Sequence, residues 1–340
     1  MSAAPDRLGR PMRNLRLSVT DRCNLRCNYC MPEEDYTWLP KSNVLTFEET
    51  LRLVDVFVEA GVDKVRITGG EPLLRRELPK LIEMLASRRL SDLAMTTNGV
   101  LLKKHAAELR DAGLRRLTIS LDSLDPQTFS LLTRRDSLSQ VLSGIEAAEG
   151  AGFTGTKIDT VVIAGVNEHE LPRLIKYAQS VKAEVRFIEY MDVGGATRWR
   201  MARVVSRARI LELIGEHFGE VSAIPRSDSA PAERFTLPDG TTFGVISSVT
   251  QPFCASCDRA RLTADGMWFT CLYAERGTDL RRMLRSGASD DELRQALRQG
   301  WGNRTDRGAE VRAGVADRGV LAAAASMRDN PHLEMHTRGG

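Results

Sequence analysis

Short β-rich runs alternate with amphipathic stretches between residues 13 and 190, and this alternation is the strongest constraint on the fold. In the first amphipathic stretch, Leu51, Val54 and Val58 recur with the period of a helix. Thr46 and Glu49 predict a capping box at its start. The predicted strands are 13–20, 64–68, 93–97, 115–121, 156–163 and 184–190, and further helices are predicted near 77–88, 101–112, 141–151 and 170–181. Strands separated by helices predict a parallel sheet, so we expect an α/β fold with a partial (β/α)6 barrel of the TIM type.

The alternation stops after Asp192, where Gly194-Gly195 interrupts the pattern. A helix is predicted near 210–218, followed by a hairpin that turns at Pro238-Asp239-Gly240 and a second one that turns at Asp265-Gly266. Short helices are predicted near 278–285 and 290–299, so this part forms an α+β extension that we expect to close the barrel mouth. Residues beyond 302 are rich in Gly, Ala, Asp and Arg, a composition typical of weak order. The expected parts are a barrel over 8–230, an extension over 231–301 and a partly ordered tail over 302–340.

Bulk properties exclude several classes of protein. The net charge is only +3, which does not indicate a stable nucleic-acid partner. No apolar run approaches the roughly 18 residues of a membrane span, and residues 1–10 lack the apolar core of a secretory signal. We therefore expect no membrane contact and a cytoplasmic location, where thiols stay reduced. The six cysteines form two clusters, a pattern that usually indicates metal: Cys23, Cys27 and Cys30, then Cys254, Cys257 and Cys271.

The first cysteine group, Cys23-x3-Cys27-x2-Cys30, directly follows the first predicted strand. A ligand loop at that point lies at the C-terminal mouth of a parallel barrel, where such folds carry their chemistry. Three thiolates can bind three irons of a four-iron cluster and leave one iron open. A zinc site is the alternative, but zinc usually takes four protein ligands, and no histidine lies near this loop.

The pattern C-x3-C-x-aromatic-C, with Tyr29 as the aromatic residue, resembles the signature of radical S-adenosylmethionine (SAM) enzymes. In those enzymes the open iron binds SAM, and an electron from the cluster splits SAM into methionine and a 5′-deoxyadenosyl radical. Gly69-Gly70-Glu71-Pro72 after the second strand agrees, because two glycines let the backbone approach a ligand closely. In the family this run receives the amino group of SAM. The resemblance implies Tyr29, Gly70, Ser120 and Met191 as SAM contacts.

The second cysteine group, Cys254-x2-Cys257-x13-Cys271, offers three more thiolates without a nearby histidine. A zinc ribbon fragment would need a fourth ligand, for which Asp258 or Asp265 could serve. The alternative is a second cluster whose open iron binds a second ligand, opposite the first cluster.

Charged residues recur on single faces of the predicted strands. Arg259 and Arg261 lie two positions apart and point the same way, and Arg16, Arg66 and Lys157 each share a face with a polar neighbour. Unpaired buried charge is costly, so a lumen that holds an anion would account for all of them. Guanidinium forks bind phosphate oxygens in a bidentate manner. The alternative is that each lies at a solvated edge or in an ion pair.

Two three-cysteine groups in one barrel resemble the GTP 3′,8-cyclase family, whose members catalyse the first step of molybdenum cofactor biosynthesis. The matching runs are LRLSVTDRCN at 15–24, RITGGEP at 66–72, TTNG at 96–99, RFIEYMD at 186–192 and CDRARL at 257–262, together with the final Gly339-Gly340. The resemblance extends over residues 8–301 and the last two residues.

This resemblance implies conversion of GTP to (8S)-3′,8-cyclo-7,8-dihydroguanosine 5′-triphosphate, by hydrogen abstraction at ribose C3′ and attack on guanine C8. It implies two [4Fe–4S] clusters, one on each cysteine group, with the open iron of the second meeting the guanine. The implied GTP contacts are Arg16, Arg66, Thr96, Lys157, Arg259 and Arg261, with Asn98 near the substrates. The implied catalytic residues are Arg16, Arg259, Arg261, Gly339 and Gly340, since the family's terminal glycines enter the active site.

The tail departs from the family pattern. Residues 302–338 are rich in Ala and Arg, and Arg338 stands before the final glycines where an apolar residue is commoner. The docking of the tail is therefore left open by the sequence, although the chemistry of the clusters is not affected.

Two alternatives stay open at this point. Another radical SAM enzyme with an auxiliary cluster, such as a peptide maturase, often carries more C-terminal cysteines. A zinc-binding RNA or protein interaction module would contain zinc after anaerobic purification and would not cleave SAM. As partners, the resemblance implies GTP, an electron donor protein and hand-over to cyclic pyranopterin monophosphate synthase; a homodimer is left open.

Overall fold

The computed structural model describes residues 5–225 and 229–339, and its centre is a mostly parallel sheet. Six strands lie side by side in chain order and all run in the same direction, as predicted. They are β1 (Asn14–Ser18), β2 (Lys64–Thr68), β3 (Asp92–Thr97), β4 (Arg116–Ser120), β5 (Lys157–Val162) and β6 (Glu184–Glu189). This arrangement is a partial barrel, and the charged strand residues Arg16, Arg66 and Asp159 line its lumen.

Helices connect these strands across the outside of the barrel. They are α1 (Phe47–Glu59), α2 (Leu78–Ala86), α3 (Leu102–Asp111), α4 (Pro126–Thr133), α5 (Leu138–Gly150) and α6 (Leu171–Ser180). The predicted helices are confirmed, but α4 was missed. Its start carries a readable signal, because Asp125 caps the backbone N–H of Thr128 at 2.8 Å and Pro126 occupies the first turn.

The extension lengthens the sheet at both of its edges. Beyond α7 (Arg207–Phe218), the strands are β7 (Ser222–Ile224), β8 (Glu233–Thr236), β9 (Thr242–Ile246), β10 (Arg259–Leu262), β11 (Met267–Phe269) and β12 (Thr278–Asp279). Strand β9 pairs parallel with β6, and β10 pairs parallel with β1. Two antiparallel hairpins, β8–β9 and β10–β11, continue the sheet outward, as the turn residues predicted. The barrel therefore gains a parallel strand on each side.

The main core lies between the sheet and the helices. Leu15 on β1 and Val65 on β2 point into it and are almost fully buried. Phe57 of α1 contacts Trp268 of β11 edge-on, with ring centroids 6.1 Å apart. This contact joins the barrel to the extension, so the two share one core.

The C-terminal part returns to the barrel after α8 (Leu280–Arg285) and α9 (Asp290–Gly302). Its short helices are α10 (Gly308–Ala313), α11 (Ala324–Asp329) and α12 (Met335–Arg338). The buried carboxylate of Asp192, beyond β6, accepts hydrogen bonds from Arg312 Nε and Arg318 Nη2, each at 2.7 Å. This pair of guanidiniums holds the tail over the C-terminal end of β6. Across the described ranges, none of the helices combines the length and apolar character needed to cross a bilayer.

The capping box at α1 is confirmed. Thr46 Oγ1 accepts the Glu49 N–H at 3.1 Å, and Glu49 Oε2 accepts the Thr46 N–H at 2.9 Å. Helix α5, by contrast, begins at Ser137 without a side-chain cap bond. Thr46 and Ser137 therefore form a matched pair for substitution, since the first side chain caps its helix and the second does not.

We predict that Thr46→Ala lowers the free energy of unfolding by about 1 kcal/mol, because the Glu49 N–H loses its acceptor. Ser137→Ala is the control and should change it by less than about 0.5 kcal/mol. Urea titration of the anaerobically handled protein measures both, and equal effects would contradict the assignment.

Candidate functional site

The first cysteine group lies at the C-terminal end of β1, and its three residues line the cavity that runs through the barrel. The Cys30 and Met31 N–H groups donate to the Cys27 carbonyl at 3.0 and 2.7 Å, which closes the loop into a tight turn. The Leu25 N–H and the Asn98 side-chain amide point at Cys23 Sγ, at 3.4 and 3.8 Å. Donors aimed at sulfur fit a thiolate ligand.

Electrostatics favours a metal cluster at this loop. Burial raises the pKa of Cys23 to about 11, with a further rise from Glu71, and burial also raises the pKa of Cys27 and Cys30. Without positive charge these thiols stay protonated at neutral pH. Iron supplies that charge, so a purely thiolate donor set here fits an iron–sulfur cluster. Among the described residues, no three His, Cys, Asp or Glu side chains converge on a position for a single metal ion.

The glycine pair after β2 packs against the cysteine loop. A side chain at Gly70 would place its Cβ 2.2 Å from the Arg22 carbonyl, so only glycine fits. At Gly195 the Cβ would lie 1.8 Å from the Cys30 carbonyl. Glu71 is fully buried and accepts the Asn98 N–H at 2.7 Å, so its carboxylate holds the β3 loop in place.

The predicted SAM contacts Tyr29, Gly70, Ser120 and Met191 all line the cavity. The Tyr29 hydroxyl donates to Asp122 Oδ2 at 2.5 Å, and Asp122 Oδ1 accepts the Val161 N–H at 2.8 Å. Burial raises the pKa of Asp122 to about 6 despite these bonds. Asp122 was not singled out in the sequence, although it lies two residues beyond Ser120, the last residue of β4.

A row of three arginines crosses the lumen. Arg261 of β10 is in register with Arg16 of β1, and Arg16 is in register with Arg66 of β2. Burial, together with the charges of Arg261 and Arg66, lowers the pKa of Arg16 well below its usual value. Three guanidiniums at one level of a buried cavity repel one another, so this arrangement favours an anionic ligand.

Other predicted substrate residues flank this row. Arg66 Nη1 donates to Thr96 Oγ1 at 3.3 Å and to Thr118 Oγ1 at 2.9 Å. Lys157 lies at the N-terminal end of β5, where its ammonium is 3.4 Å from a carboxylate oxygen of Glu184. Asn98 and Arg259 line the cavity as well. The structure thus brings the other predicted substrate residues to one lumen, whereas Lys157 is held in an ion pair with Glu184 and is not among the described residues that line this cavity.

The second cysteine group lies at the opposite end of the lumen, because Cys254 and Cys257 precede β10, which runs parallel to β1. Arg259 Nη2 and Arg304 Nη2 each lie 3.5 Å from Cys257 Sγ. Burial alone would raise the pKa of Cys257, but these two guanidiniums lower it to about 6. The Tyr273 N–H points at Cys271 Sγ at 3.5 Å. This thiolate set also fits an iron–sulfur cluster.

A buried clamp that sequence reasoning missed holds this second loop. Asp6 Oδ2 lies 2.7 Å from Arg10 Nε and 3.4 Å from Arg304 Nη1. Arg10 donates to the Cys254 carbonyl at 2.8 Å, and Arg304 donates to the Cys257 carbonyl at 2.7 Å. Asp6 and Arg304 are 298 positions apart, so no local pattern could have found the contact between them.

The tail enters the site at Gly339. The Gly339 carbonyl accepts a hydrogen bond from Arg261 Nη1, and a Cβ at Gly339 would lie 1.8 Å from Thr68 Oγ1. Gly339 has a φ of +76°, which favours glycine. Met335 and His336 line the cavity. Gly340 lies outside the described residues.

A partial parallel barrel with a three-thiol loop after its first strand and a diglycine turn after its second defines a radical SAM fold. The family model for the Radical SAM superfamily matches residues 17–178, and the model for Molybdenum Cofactor Synthesis C matches residues 183–310. The chain is therefore a radical SAM enzyme, a class that uses SAM and a [4Fe–4S] cluster.

Curated relatives show which family of radical SAM enzymes the chain belongs to. A protein named GTP 3′,8-cyclase 3 from Mycobacterium bovis is 54% identical over 340 residues, covering 98% of this chain and 90% of the relative. A GTP 3′,8-cyclase from Acidothermus cellulolyticus is 51% identical, covering 91% and 88%. The chain belongs to the GTP 3′,8-cyclase family of molybdenum cofactor biosynthesis.

Among solved structures, SuiB of Streptococcus suis bound to S-adenosylmethionine is similar, with a TM-score of 0.61 at 15% identity. The match covers 91% of this chain and 72% of that one. At this identity the likeness concerns the fold alone.

If each cysteine group binds its own cluster, Cys271→Ala should lose about four iron atoms per chain and retain the first cluster. Cys23→Ala is the matched variant and should lose the other cluster together with SAM cleavage. Iron analysis after anaerobic reconstitution measures both, and unchanged iron in Cys271→Ala would refute the second cluster.

We predict that Arg304→Ala lowers the free energy of unfolding by roughly 3 kcal/mol, because it leaves buried Asp6 with one cation fewer. It should also reduce the iron retained by the second group. Arg298→Ala removes an exposed arginine from α9 and serves as control. Unfolding titrations and iron analysis that gave the same result for both variants would contradict the clamp.

Proposed function

We propose that this chain converts GTP to (8S)-3′,8-cyclo-7,8-dihydroguanosine 5′-triphosphate. The observation that carries the proposal is the in-register row Arg261–Arg16–Arg66 in a lumen flanked by two cysteine groups. A triphosphate offers the charge and the multiple oxygens that such a row can bind by guanidinium forks. The curated relatives named GTP 3′,8-cyclase support the same substrate.

The C-terminal end of the lumen is the SAM end. Cys23, Cys27 and Cys30 would hold the first cluster, and Tyr29, Gly70, Ser120 and Met191 would contact SAM. When bound, the first cluster and SAM together supply a 5′-deoxyadenosyl radical that removes hydrogen from ribose C3′. At Gly70 the chain packs its backbone against the cysteine loop so closely that a Cβ has no room. It also fixes the Tyr29 ring through Asp122.

The opposite end is the guanine end. Cys254, Cys257 and Cys271 would hold a second [4Fe–4S] cluster, whose open iron would bind the guanine. Arg259 reaches both this group and the lumen, since its guanidinium lies 3.5 Å from Cys257 Sγ and lines the cavity. A nucleotide held there has its base near the second group and its ribose toward the first.

The triphosphate would lie along the wall between the two ends. Its proposed contacts are Arg16, Arg66, Thr96, Lys157, Arg259 and Arg261. Thr96 and Thr118 orient the Arg66 guanidinium through direct hydrogen bonds. Arg16, Arg259, Arg261, Gly339 and Gly340 are proposed to act in catalysis, since the Gly339 carbonyl meets the Arg261 side chain. Arg261 thus links the substrate wall to the tail.

The parts of the chain divide this work. Residues 8–230 would form the SAM-binding barrel, residues 231–301 the auxiliary-cluster extension, and residues 302–340 a tail that reaches the lumen. The extension, with the tail, would close the barrel mouth, which keeps water from the radical. An electron donor protein and hand-over to cyclic pyranopterin monophosphate synthase complete the proposed partners, and a homodimer is compatible with this scheme.

We predict that the reconstituted protein, with dithionite and SAM, forms the cyclised nucleotide from GTP and none from ATP. Arg16→Ala should reduce kcat/KM for GTP about 10- to 100-fold, because a charge-assisted bond in the row is lost. Arg200→Ala, at an exposed arginine, is the control. Liquid chromatography with mass spectrometry detects product and 5′-deoxyadenosine. Equal deoxyadenosine formation without nucleotide, or with ATP but not GTP, would sink the substrate proposal.

A further inference from the structure

Arg338, the last residue of α12, is a long cationic side chain that is 1% exposed. Its Nε donates to the His332 carbonyl, its Nη1 to the Leu272 carbonyl and its Nη2 to the Ala274 carbonyl. The guanidinium also stacks on Phe269, 4.3 Å from the ring centroid. All three nitrogens of the fork are therefore engaged, and one ring face is covered.

These partners belong to two different segments. The His332 carbonyl belongs to the turn that leads into α12, so this bond stiffens the tail itself. Leu272 and Ala274 follow Cys271, the last thiol of the second cysteine group. The guanidinium therefore joins the end of the tail to the loop that carries Cys271.

A second tie joins the tail to the turn that precedes β11. His332 Nε2 lies 2.8 Å from Asp265 Oδ2, at the turn between β10 and β11. The imidazole holds the start of the last turn, and the Arg338 guanidinium holds its end. Only the Arg338 tie is adjacent in sequence to the terminal glycines.

The position of Gly339 depends on the hydrogen bonds of Arg338. Gly339 follows Arg338 directly, its carbonyl accepts the Arg261 N–H, and its α-carbon lies against Thr68. The space is so narrow that a shift of about 1 Å would break either contact. An apolar side chain could fill the space beside Phe269, but only a fork donor can join three carbonyls that point from two segments.

We propose that Arg338 is a positioning residue, which fastens the last turn of the chain to the loop after Cys271 and thereby holds Gly339 against Arg261. The second cysteine loop and the C-terminal turn then move as one unit. The consequence for turnover rests on the proposed function, whereas the fastening itself does not.

The fastening is tested by hydrogen–deuterium exchange of the reconstituted full-length protein. Arg338→Ala should raise the exchange of amides in 331–339 by about 10-fold or more, because the turn loses its anchor. Arg338→Lys keeps the charge but not the fork, so it should also raise exchange. Arg328→Ala, at an exposed arginine of α11, is the matched control and should leave exchange unchanged. Exchange in both Arg338 variants equal to that of the parent protein would overturn the proposal.

The positioning role is tested by comparing how much cyclised nucleotide and how much 5′-deoxyadenosine each variant forms. In Arg338→Lys, cyclised product should fall by about 100-fold, as expected for misplacement near a reacting group, while 5′-deoxyadenosine formation changes less than about 2-fold. Iron content should match that of the parent protein, which separates positioning from loss of a cluster. Raised exchange with unchanged product formation would refute the positioning role. If the parent protein makes no product from GTP, the proposed function fails, and the exchange measurement still decides the fastening.

Discussion

The in-register row of Arg261, Arg16 and Arg66 is the constraint on which the rest of the molecule depends. Parallel pairing of β10 with β1, and of β1 with β2, sets the three guanidiniums side by side in a buried lumen. Burying like charges is unfavourable, and the cost falls when an anion binds among them. The apolar core must therefore lie outside the sheet, where the helices cover it, and the lumen stays polar.

Chain direction separates the two cysteine groups. The first group follows β1, whereas Cys254 and Cys257 precede β10, which is parallel to β1. Cys271 follows β11, which is antiparallel to β10, so the two groups lie at opposite ends of the lumen. A five-residue strand spans roughly 16 Å, which is room for one nucleotide between two clusters. Within this lumen, the tail meets Arg261 through the Gly339 carbonyl.

Much of the fold could be predicted because its signals are local. The six barrel strands, the capping box of α1 and both hairpins follow from periodicity and turn residues within short windows. Helix α4 was missed since its apolar spacing is short, although Asp125 and Pro126 mark its start. The clamp of Asp6 and Arg304 depends on chain packing over nearly the whole sequence, which no window of residues contains.

By itself, the sequence determined the order of the barrel strands, the type of thiol loop after the first of them and the polar face that each strand presents. Those properties depend on neighbours a few positions apart. The tertiary structure alone decided which arginines share a level, which buried cations hold the Cys257 loop, and where the tail ends. These depend on strand register and on contacts between distant segments. Arg338 shows the difference: in the sequence it is a departure before two glycines, and in the fold it is a buried fork between the tail and the Cys271 loop.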